Sequence, residues 1–392
     1  MPLAQRKRVI LVGLESTYGS DATPAAADAV LCSNLNLTPL EGSSVSRDFI
    51  RPFFGASGNI RVENFVSMDF ETEIAGSGAA GTAPQWGILL KASNFSETIT
   101  AAAITGSAQA GGTTTTVKLA AAASAVDDFY VGMTLAITAG TGNGQSSGII
   151  SYNGTSKVAT LAKAQAVGAD ATSTYSISAN VVYTPNSNFG TAIANTSASI
   201  YFNVDGVRHI LLGARGTVSF DLSVKAIPKM KWKFTGLLGV ISDQTLPTAD
   251  FTGWQVPVTV STANTTDINL IGYNAAVVQK LSFDIANTVI YRQMIGTESV
   301  MITDRKPTGS VSIEATSVAA KDWWTSSKNG TYGPFHVKHG TVAGNIVSFT
   351  SPNAQLSDPK YSDSDGIAMM DFTLQMTPFL PAGNDEVRIT CK

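Results

Sequence analysis

The chain has 392 residues, of which 44% are hydrophobic and 14% are charged, and its formal net charge is −3. This length allows two or three domains with a large core, so folding requires neither disulfides nor metals. The weak negative charge excludes a chain-wide positive field that would grip nucleic acid. The two cysteines, Cys32 and Cys391, give no disulfide framework and are expected as free thiols in a reducing compartment.

The amino terminus combines a basic start with a short apolar run from Val9 to Leu14. Gly13 interrupts the run, which is shorter than the apolar core of a signal peptide, so we interpret it as a strand of a cytoplasmically made protein. No stretch approaches the ~18 continuous apolar residues of a membrane span, and insertion into a membrane is not expected.

Residues 15–45 have the composition of a loop, with a short alanine-rich helix predicted near Ala25 to Val30. The following segment, residues 47–58, concentrates aromatic side chains around arginine and proline. A loop so rich in aromatic residues either packs on its own domain or contacts a neighbouring molecule. Its candidate contact residues are Arg51, Phe53 and Phe54.

The stretch from Val66 to Leu90 predicts a strand, a glycine-rich loop and a short helix containing Trp86. Strict alternation gives the strand one apolar face and one acidic face. The acidic face carries Asp69, Glu71 and Glu73. Because glycine tolerates many backbone conformations, we interpret the loop as a mobile hinge between strand and helix. The candidate hinge residues are Gly76, Gly78 and Gly81.

From Ile99 to Ser178 the composition shifts to Ala, Thr, Ser and Gly, with short strands separated by turns such as Asn153-Gly154. Almost no helix is predicted there, so residues 99–179 are expected to form an inserted all-β module of the sandwich type. Amphipathic strands of the larger unit resume after the insertion. One of them carries a basic face made by Lys229, Lys231 and Lys233.

Residues 246–275 are predicted to be a connector with room for an edge strand. In the final third, Val311 and Ile313 share one strand face and Glu314 lies on the other, and a helical pattern with tryptophan follows. A strand followed by a short tryptophan-containing helix thus occurs twice. This order of elements indicates an internal duplication, although residue identity between the halves is low.

Residues that support catalysis or metal binding are scarce in this sequence. His336 and His339 would lie on opposite faces of a strand, which does not suit joint metal ligation, so surface or interface histidines are expected. Residues 363–366 predict a turn, and residues 76–81 lack a phosphate-loop pattern. No catalytic residue, metal site or cofactor is therefore expected. The low charge and many short strands are typical of self-assembling structural proteins.

Several segments, taken as an ordered set, resemble the major tail tube proteins of long, non-contractile bacteriophage tails. They are ESTYGSDATP at 15–24, LTPLEG at 37–42, IRPFFG at 50–55, EIAGSGAAGTAPQWGILLKA at 73–92, GARGTVS at 213–219 and FTGL at 234–237. The insertion is similar to a β-module that recurs in phage structural proteins. The last third is similar to tube proteins in its order of strands and helix.

The resemblance implies a mainly β fold, in which antiparallel sheets with short flanking helices form a sandwich and inner strands join those of neighbours into a barrel-shaped ring. Stacked rings would form a virion tail tube for genome passage, with a tape measure protein and tail end proteins as partners. The protein would be made in the host bacterial cytoplasm. Arg51, Phe53 and Phe54 would then contact other subunits or rings.

An acidic lining would repel the DNA duplex, which carries one charge per ~1.7 Å of its length, and so let it slide without sticking. The candidate lumen-lining residues are Asp69, Glu71, Glu73 and Glu314. Alternatively, the carboxylates face solvent outside the tube or pair with the lysines at 229, 231 and 233.

We predict a discontinuous first tube domain at 1–98 and 180–245, an exterior module at 99–179, the connector, and a second tube-like domain at 276–392. If both halves are tube folds, three chains would close a pseudo-sixfold ring. If only the first half is a tube fold, six chains would be needed.

Two other classes of protein remain open at this point. A capsid decoration or fibre protein would also suit a sandwich-like insertion. A carbohydrate-binding or adhesive β-protein is supported by threonine-rich strands and by Trp254, Trp323 and Trp324, but it would require export.

Overall fold

The computed structural model describes residues 3–190, 193 and 196–392. Residues 1, 2, 191, 192, 194 and 195 of the predicted first domain lie outside the described residues. The described chain is dominated by antiparallel strands, with two short α-helices, which confirms the predicted mainly β fold.

The elements before the predicted insertion begin with the expected N-terminal strand. They are β1 (Arg8–Leu14), β2 (Ala29–Val30), β3 (Ser33–Glu41), β4 (Ser44–Ser46), β5 (Asn59–Arg61), β6 (Phe65–Glu73), α1 (Gly87–Ala92) and β7 (Phe95–Thr100). A single 3₁₀ turn at Ala26–Asp28, followed directly by β2, replaces the predicted alanine-rich helix.

The predicted insertion forms a six-stranded sheet of its own. Its strands are β8 (Ile104–Ser107), β9 (Thr116–Lys118), β10 (Thr134–Ala139), β11 (Ser146–Asn153), β12 (Val158–Leu161) and β13 (Thr174–Ile177). Alternate side chains fill a separate apolar core that includes Leu135, Ile149 and Tyr175. The flanking strand β7 and the next strand of the body, β14 (Asn180–Pro185), pair with each other and bring the two ends of the insertion together.

The body continues with β15 (Ala198–Val204), β16 (Val207–Ser223), β17 (Lys229–Leu238) and β18 (Ser242–Asp243). The final third contains β19 (Thr265–Leu270), β20 (Val278–Asp284), β21 (Asn287–Met294), β22 (Thr297–Arg305), β23 (Thr308–Glu314), α2 (Trp323–Lys328), β24 (Tyr332–His339), β25 (Val347–Ser364), β26 (Ile367–Met376) and β27 (Arg388–Cys391). Strand β19 is the edge strand for which the connector left room, and it pairs with β24.

Eight of these strands lie side by side in one antiparallel array, in the order β3, β6, β17, β16, β20, β23, β26 and β25. The first four belong to the first half of the chain and the last four to the second half. The two sets are joined by hydrogen bonding between β16 and β20, where Phe220 lies opposite Phe283. We refer to this array as the eight-stranded sheet.

The two halves contribute their strands in the same pattern. Read in chain order, β3, β6, β16 and β17 correspond to β20, β23, β25 and β26, and both sets take the spatial order first, second, fourth, third. In each half the third strand is long and changes partners along its length: β16 leaves β15 for β20, and β25 leaves β24 and β27 for β26 alone. Strands that switch partners in this way carry a chain from one layer of a sandwich to the other.

The tryptophans that precede or begin the helices occupy matching positions. The indole N–H of Trp86 donates to the Ala75 carbonyl at 2.8 Å, and that of Trp323 donates to the Thr316 hydroxyl at 3.0 Å. Each acceptor lies two residues beyond the glutamate that ends the preceding strand, Glu73 or Glu314. Both indoles are buried. The match places the two halves in a common register despite their low residue identity.

The insertion contacts the body through polar groups on β24, β25 and β27. His336 is fully buried there, its Nδ1 lies 2.7 Å from the Thr350 hydroxyl, and its ring abuts Gly148 of the insertion. His339 is also buried, beside Thr265. The sequence predicts surface or interface histidines. Neither residue is on the surface, because β19 covers His339, and His336 lies at the contact between the insertion and the body. Burial lowers the pKa of His336 to about 4.

Replacing Gly148 by alanine should destabilise the contact between insertion and body, because an added Cβ would lie 2.3 Å from the His336 Nε2 atom. Overpacking of this kind costs about 1–3 kcal/mol. We expect a lower free energy of unfolding in denaturant titration. Gly58→Ala is the control, since its added Cβ meets open space. Equal stability of Gly148→Ala and the original chain would show that the contact is loose.

Candidate functional site

The eight-stranded sheet has one apolar and one polar face, as the alternation of its strands dictates. Its apolar face is buried and includes Phe70, Trp232, Phe220, Phe283 and Phe372. The opposite face is lined by hydroxyl, carboxylate and ammonium groups that are half-buried or exposed. This second face, which we call the polar face, runs across both halves of the chain.

The three predicted acidic residues of β6 lie on the polar face directly opposite the three lysines of β17. Asp69 faces Lys233, Glu71 faces Lys231, and Glu73 faces Lys229 in the strand register. The Lys229 ammonium also reaches diagonally to a Glu71 carboxylate oxygen at 2.9 Å, and Asn34 of β3 donates to the same oxygen at 2.8 Å. The acidic stripe is thus flanked by a basic stripe of equal length.

The electrostatic surroundings of Glu71 act in opposite directions on its carboxyl group. Burial raises the pKa of Glu71, but the hydrogen bonds from Lys229 and Asn34, together with the charges of Lys229 and Lys231, outweigh burial and leave the pKa below its ordinary value. The carboxylate is therefore ionised throughout the neutral range.

Glu314 lies on the same face but four strands away from β6, at the exposed end of β23. The polar face also carries charged groups that were not among the predicted lumen-lining residues, although strand alternation indicates their position. These are the carboxylates of Asp221, Asp284 and Asp371 and the ammonium groups of Lys280 and Lys360. The groups named so far on the polar face are seven carboxylates and five lysines.

Two strand edges of the eight-stranded sheet are unpaired within the part of the chain that the structure describes. Strand β3 pairs with β6 on one side, and the end of β25 beyond Leu356 pairs with β26 on one side. Apolar groups are exposed beside both edges, including Leu40 at 46% and Tyr361 at 64%. Open backbone groups next to exposed apolar side chains are suited to pairing with another chain.

The predicted contact residues Arg51, Phe53 and Phe54 lie on an arm, residues 42–64, that projects between β3 and β6. The arm forms the small hairpin β4–β5, and Phe53 and Phe54 are 64% and 108% exposed. Arg51 lies 5.8 Å from the Phe53 ring centroid and 5.9 Å from that of Phe49. The structure therefore leaves these aromatic groups on the surface of the chain.

The predicted hinge glycines are closely packed. Gly76 and Gly78 donate to the Asn345 side chain at 2.7 Å and to the Gly344 carbonyl at 2.9 Å. A Cβ on Gly76 would lie 2.0 Å from that carbonyl oxygen, and Gly78 and Gly81 have φ of +86° and +76°. Their glycine identity follows from this packing and backbone geometry, and the hinge role stays a prediction.

The remaining candidate groups have structural surroundings. Trp323 is buried, the Trp254 indole donates to the Ala29 carbonyl at 3.0 Å, and the half-exposed Trp324 packs against Tyr361. Among the described residues, no three His, Cys, Asp or Glu side chains are grouped to hold a metal ion. The helices described are too short to cross a membrane.

The fold and its surfaces define a mainly β structural protein with open sheet edges. The model of the phage tail tube protein family matches residues 5–376, nearly the whole chain. The chain therefore belongs to that family and is a structural protein of the virion tail. A search of curated proteins finds no significant match.

Removing the ammonium group of Lys229 should raise the pKa of Glu71 toward its ordinary value. A carboxylate with a lowered pKa stabilises the fold above its unfolded pKa, and this contribution is lost as the pH falls through the folded pKa. Lys229→Met should therefore cost about 0.2–1 kcal/mol at pH 7 and progressively less in acid.

Denaturant titrations of the Lys229→Met variant at pH 7 and pH 3 test this difference. Lys280→Met is the control, because Lys280 faces Ser223 and Ser312 rather than a carboxylate. A loss of stability that does not change with pH would assign the effect to packing of the lysine stem.

Proposed function

We propose that copies of this chain join their eight-stranded sheets edge to edge, close a ring, and stack as rings into the phage tail tube. The observation that carries the proposal is the pairing of β16 with β20 inside one chain. There, the strand at the edge of the first four-stranded set, β16, pairs with the strand at the edge of the second set, β20. The equivalents of these two strands, β25 for β16 and β3 for β20, are the unpaired strands at the two ends of the eight-stranded sheet.

The internal repeat supplies the register for the contact between copies. Phe220 lies across from Met230 in β16–β17, as Tyr361 lies across from Met370 in β25–β26, so Phe220 and Tyr361 are equivalent.

On the facing strands, Phe283 pairs with Gly309 and Leu37 pairs with Met68. Gly309 and Met68 each lie five residues before the glutamate that ends their strand, Glu314 or Glu73. Since Phe220 stacks on Phe283 at 4.7 Å between ring centroids, Tyr361 should cover Leu37 of the next copy.

Three copies close the ring in this proposal. Each 40.9 kDa chain supplies two equivalent four-stranded sets, so three chains supply six sets around the axis. The predicted second domain at 276–392 is then a tube domain that lacks the insertion. The insertion contacts the body at β24 and β25, through groups such as His336 and Thr350 rather than through the polar face, which supports its predicted place on the tube exterior.

The polar face would form the wall of the channel. Asp69, Glu71 and Glu73, with Glu314 in the other half, would face the passing duplex beside the lysine stripe. A nearly balanced wall with a small excess of carboxylates offers DNA no continuous cationic track, so phosphates have no row of counterions to displace. DNA would therefore pass through the channel without specific binding. A tape measure protein and tail end proteins are the partners that the family implies for the tube.

Electron microscopy of the purified chain tests the proposed function directly. We expect tubes of uniform diameter whose rotational averages show three-fold symmetry with six similar lobes. Strict six-fold symmetry with six separate chains per ring would overturn the stoichiometry. An unassembled globule at every concentration would overturn the proposal as a whole.

A charge placed at either open edge should prevent ring closure. Leu37→Asp and Tyr361→Asp would each bury an unpaired carboxylate in the contact between copies, which is strongly unfavourable. Both side chains are partly exposed in the single chain, so each variant should fold. Mass measurement by light scattering should give monomers, whereas Val126→Asp in the insertion should still form tubes. Normal tubes from both edge variants would refute the register.

Removing the exposed rings of the arm should also block polymerisation. Phe53→Ala combined with Phe54→Ala should give a folded monomer, because both rings are exposed and contribute nothing to the core of the chain. Circular dichroism would establish the fold and microscopy the absence of tubes. The double variant Val126→Ala with Phe129→Ala, on exposed residues of the insertion, should assemble normally. Tubes from the arm variant would show that its aromatic groups have another role.

A further inference from the structure

The arm and a hairpin of the second half occupy equivalent places in the two halves of the chain. Residues 42–64 connect β3 to β6, and residues 285–307 connect β20 to β23, so each connection has 23 residues between equivalent strands. The second connection forms the hairpin β21–β22. The first forms only the short pairing β4–β5.

The β21–β22 hairpin lies across the end of the first half. The backbone N–H of Val300 donates to the Tyr18 hydroxyl at 2.6 Å, and Arg215 donates to the Val300 carbonyl at 3.2 Å. Further along the hairpin, the Tyr291 ring stacks on Phe65 with centroids 4.8 Å apart. The hairpin of one half therefore covers the strand ends of the half before it.

The arm has no preceding half in its own chain to cover. Its apolar residues are accordingly exposed, with Phe49 at 55% and Ile50 at 106% in addition to the two phenylalanines described above. An exposed group of aromatic residues of this size is the usual sign of a contact surface.

We propose that the arm lies across the strand ends of the second half of a neighbouring copy, as β21–β22 lies across those of the first half. This inference rests on the proposed ring. The receiving surface comprises the backbone of the buried Leu356 together with Gln355, Thr377, Pro378 and the exposed Phe379.

The same repeat register identifies that surface. Asn287 of the hairpin donates to the Gly216 carbonyl at 3.0 Å, and Gly216 pairs with Phe234 as Leu356 pairs with Leu374. Phe234 and Leu374 each lie four residues after the methionine of their strand, Met230 or Met370. The receiving surface also has an exposed apolar group of its own, because Phe379 is 57% exposed.

Photocross-linking locates the arm in assembled tubes. Benzoylphenylalanine replaces Phe53, and unlabelled variant chains are mixed with ¹⁵N-labelled original chains before assembly. We expect tubes, and cross-links that join the arm of one chain to peptides within residues 353–380 of a differently labelled chain. Benzoylphenylalanine at Phe129 of the insertion is the control and should not react with those peptides.

The outcomes separate this inference from the proposed function. Tubes whose cross-links fall elsewhere, for example on Met294–Gly296 of a stacked ring, would overturn the docking site and leave the ring intact. Absence of tubes from the original chain would overturn the ring. If the probe itself blocks assembly, hydrogen exchange of original chains decides: residues 44–61 and 353–380 should gain protection together on assembly, and protection of the arm alone would contradict the proposal.

Discussion

The pairing of β16 with β20 is the contact on which the organisation of this molecule depends. It joins the two halves through backbone hydrogen bonds and through an aromatic cluster in which Phe220, Phe283 and Phe349 lie within 4.7–5.3 Å of one another. Aromatic contacts of this kind contribute about 0.5–1.5 kcal/mol each beyond area burial, more than an exposed ion pair. Apolar packing therefore holds the halves together, and this contact does not depend on the charged side chains of the polar face.

A chain with two open sheet edges must avoid pairing with the wrong partner. Each open edge contains a proline, Pro39 in β3 and Pro359 in β25. Proline interrupts the row of backbone donors and is tolerated in a sheet at edges and bulges. Pro359 lies within the register shift between Ser357 and Lys360. Such interruptions restrict each edge to a partner whose register avoids them, which favours assembly of one geometry over indiscriminate aggregation.

The strands and the composition of their faces were largely predictable from local patterns, and the pairing of carboxylates with the lysines of β17 could be given only as one of several alternatives. Alternation in β6 and β17 reports which side chains share a face, because that period is a property of each strand alone. The register that sets lysines opposite carboxylates is set by the whole fold, since 158 residues separate Glu71 from Lys229. The burial of His336 was not predicted for the same reason. The insertion covers this residue, and the spacing of residues along β24 gives no information about a segment so far away in the sequence.

The two halves differ in the charge of their polar faces. Where β17 has lysines at positions 229, 231 and 233, the equivalent positions of β26 are Met369, Asp371 and Thr373. The first half therefore carries paired acidic and basic stripes, and the second half a polar face rich in hydroxyl groups. In a ring of three chains these sectors would alternate, so a passing polyanion would meet no continuous band of either charge. With screening over about 8 Å at physiological salt, each phosphate responds mainly to the sector nearest to it. Weak and alternating fields hold a polyanion less firmly than a uniform basic wall and oppose its entry less than a uniform acidic one.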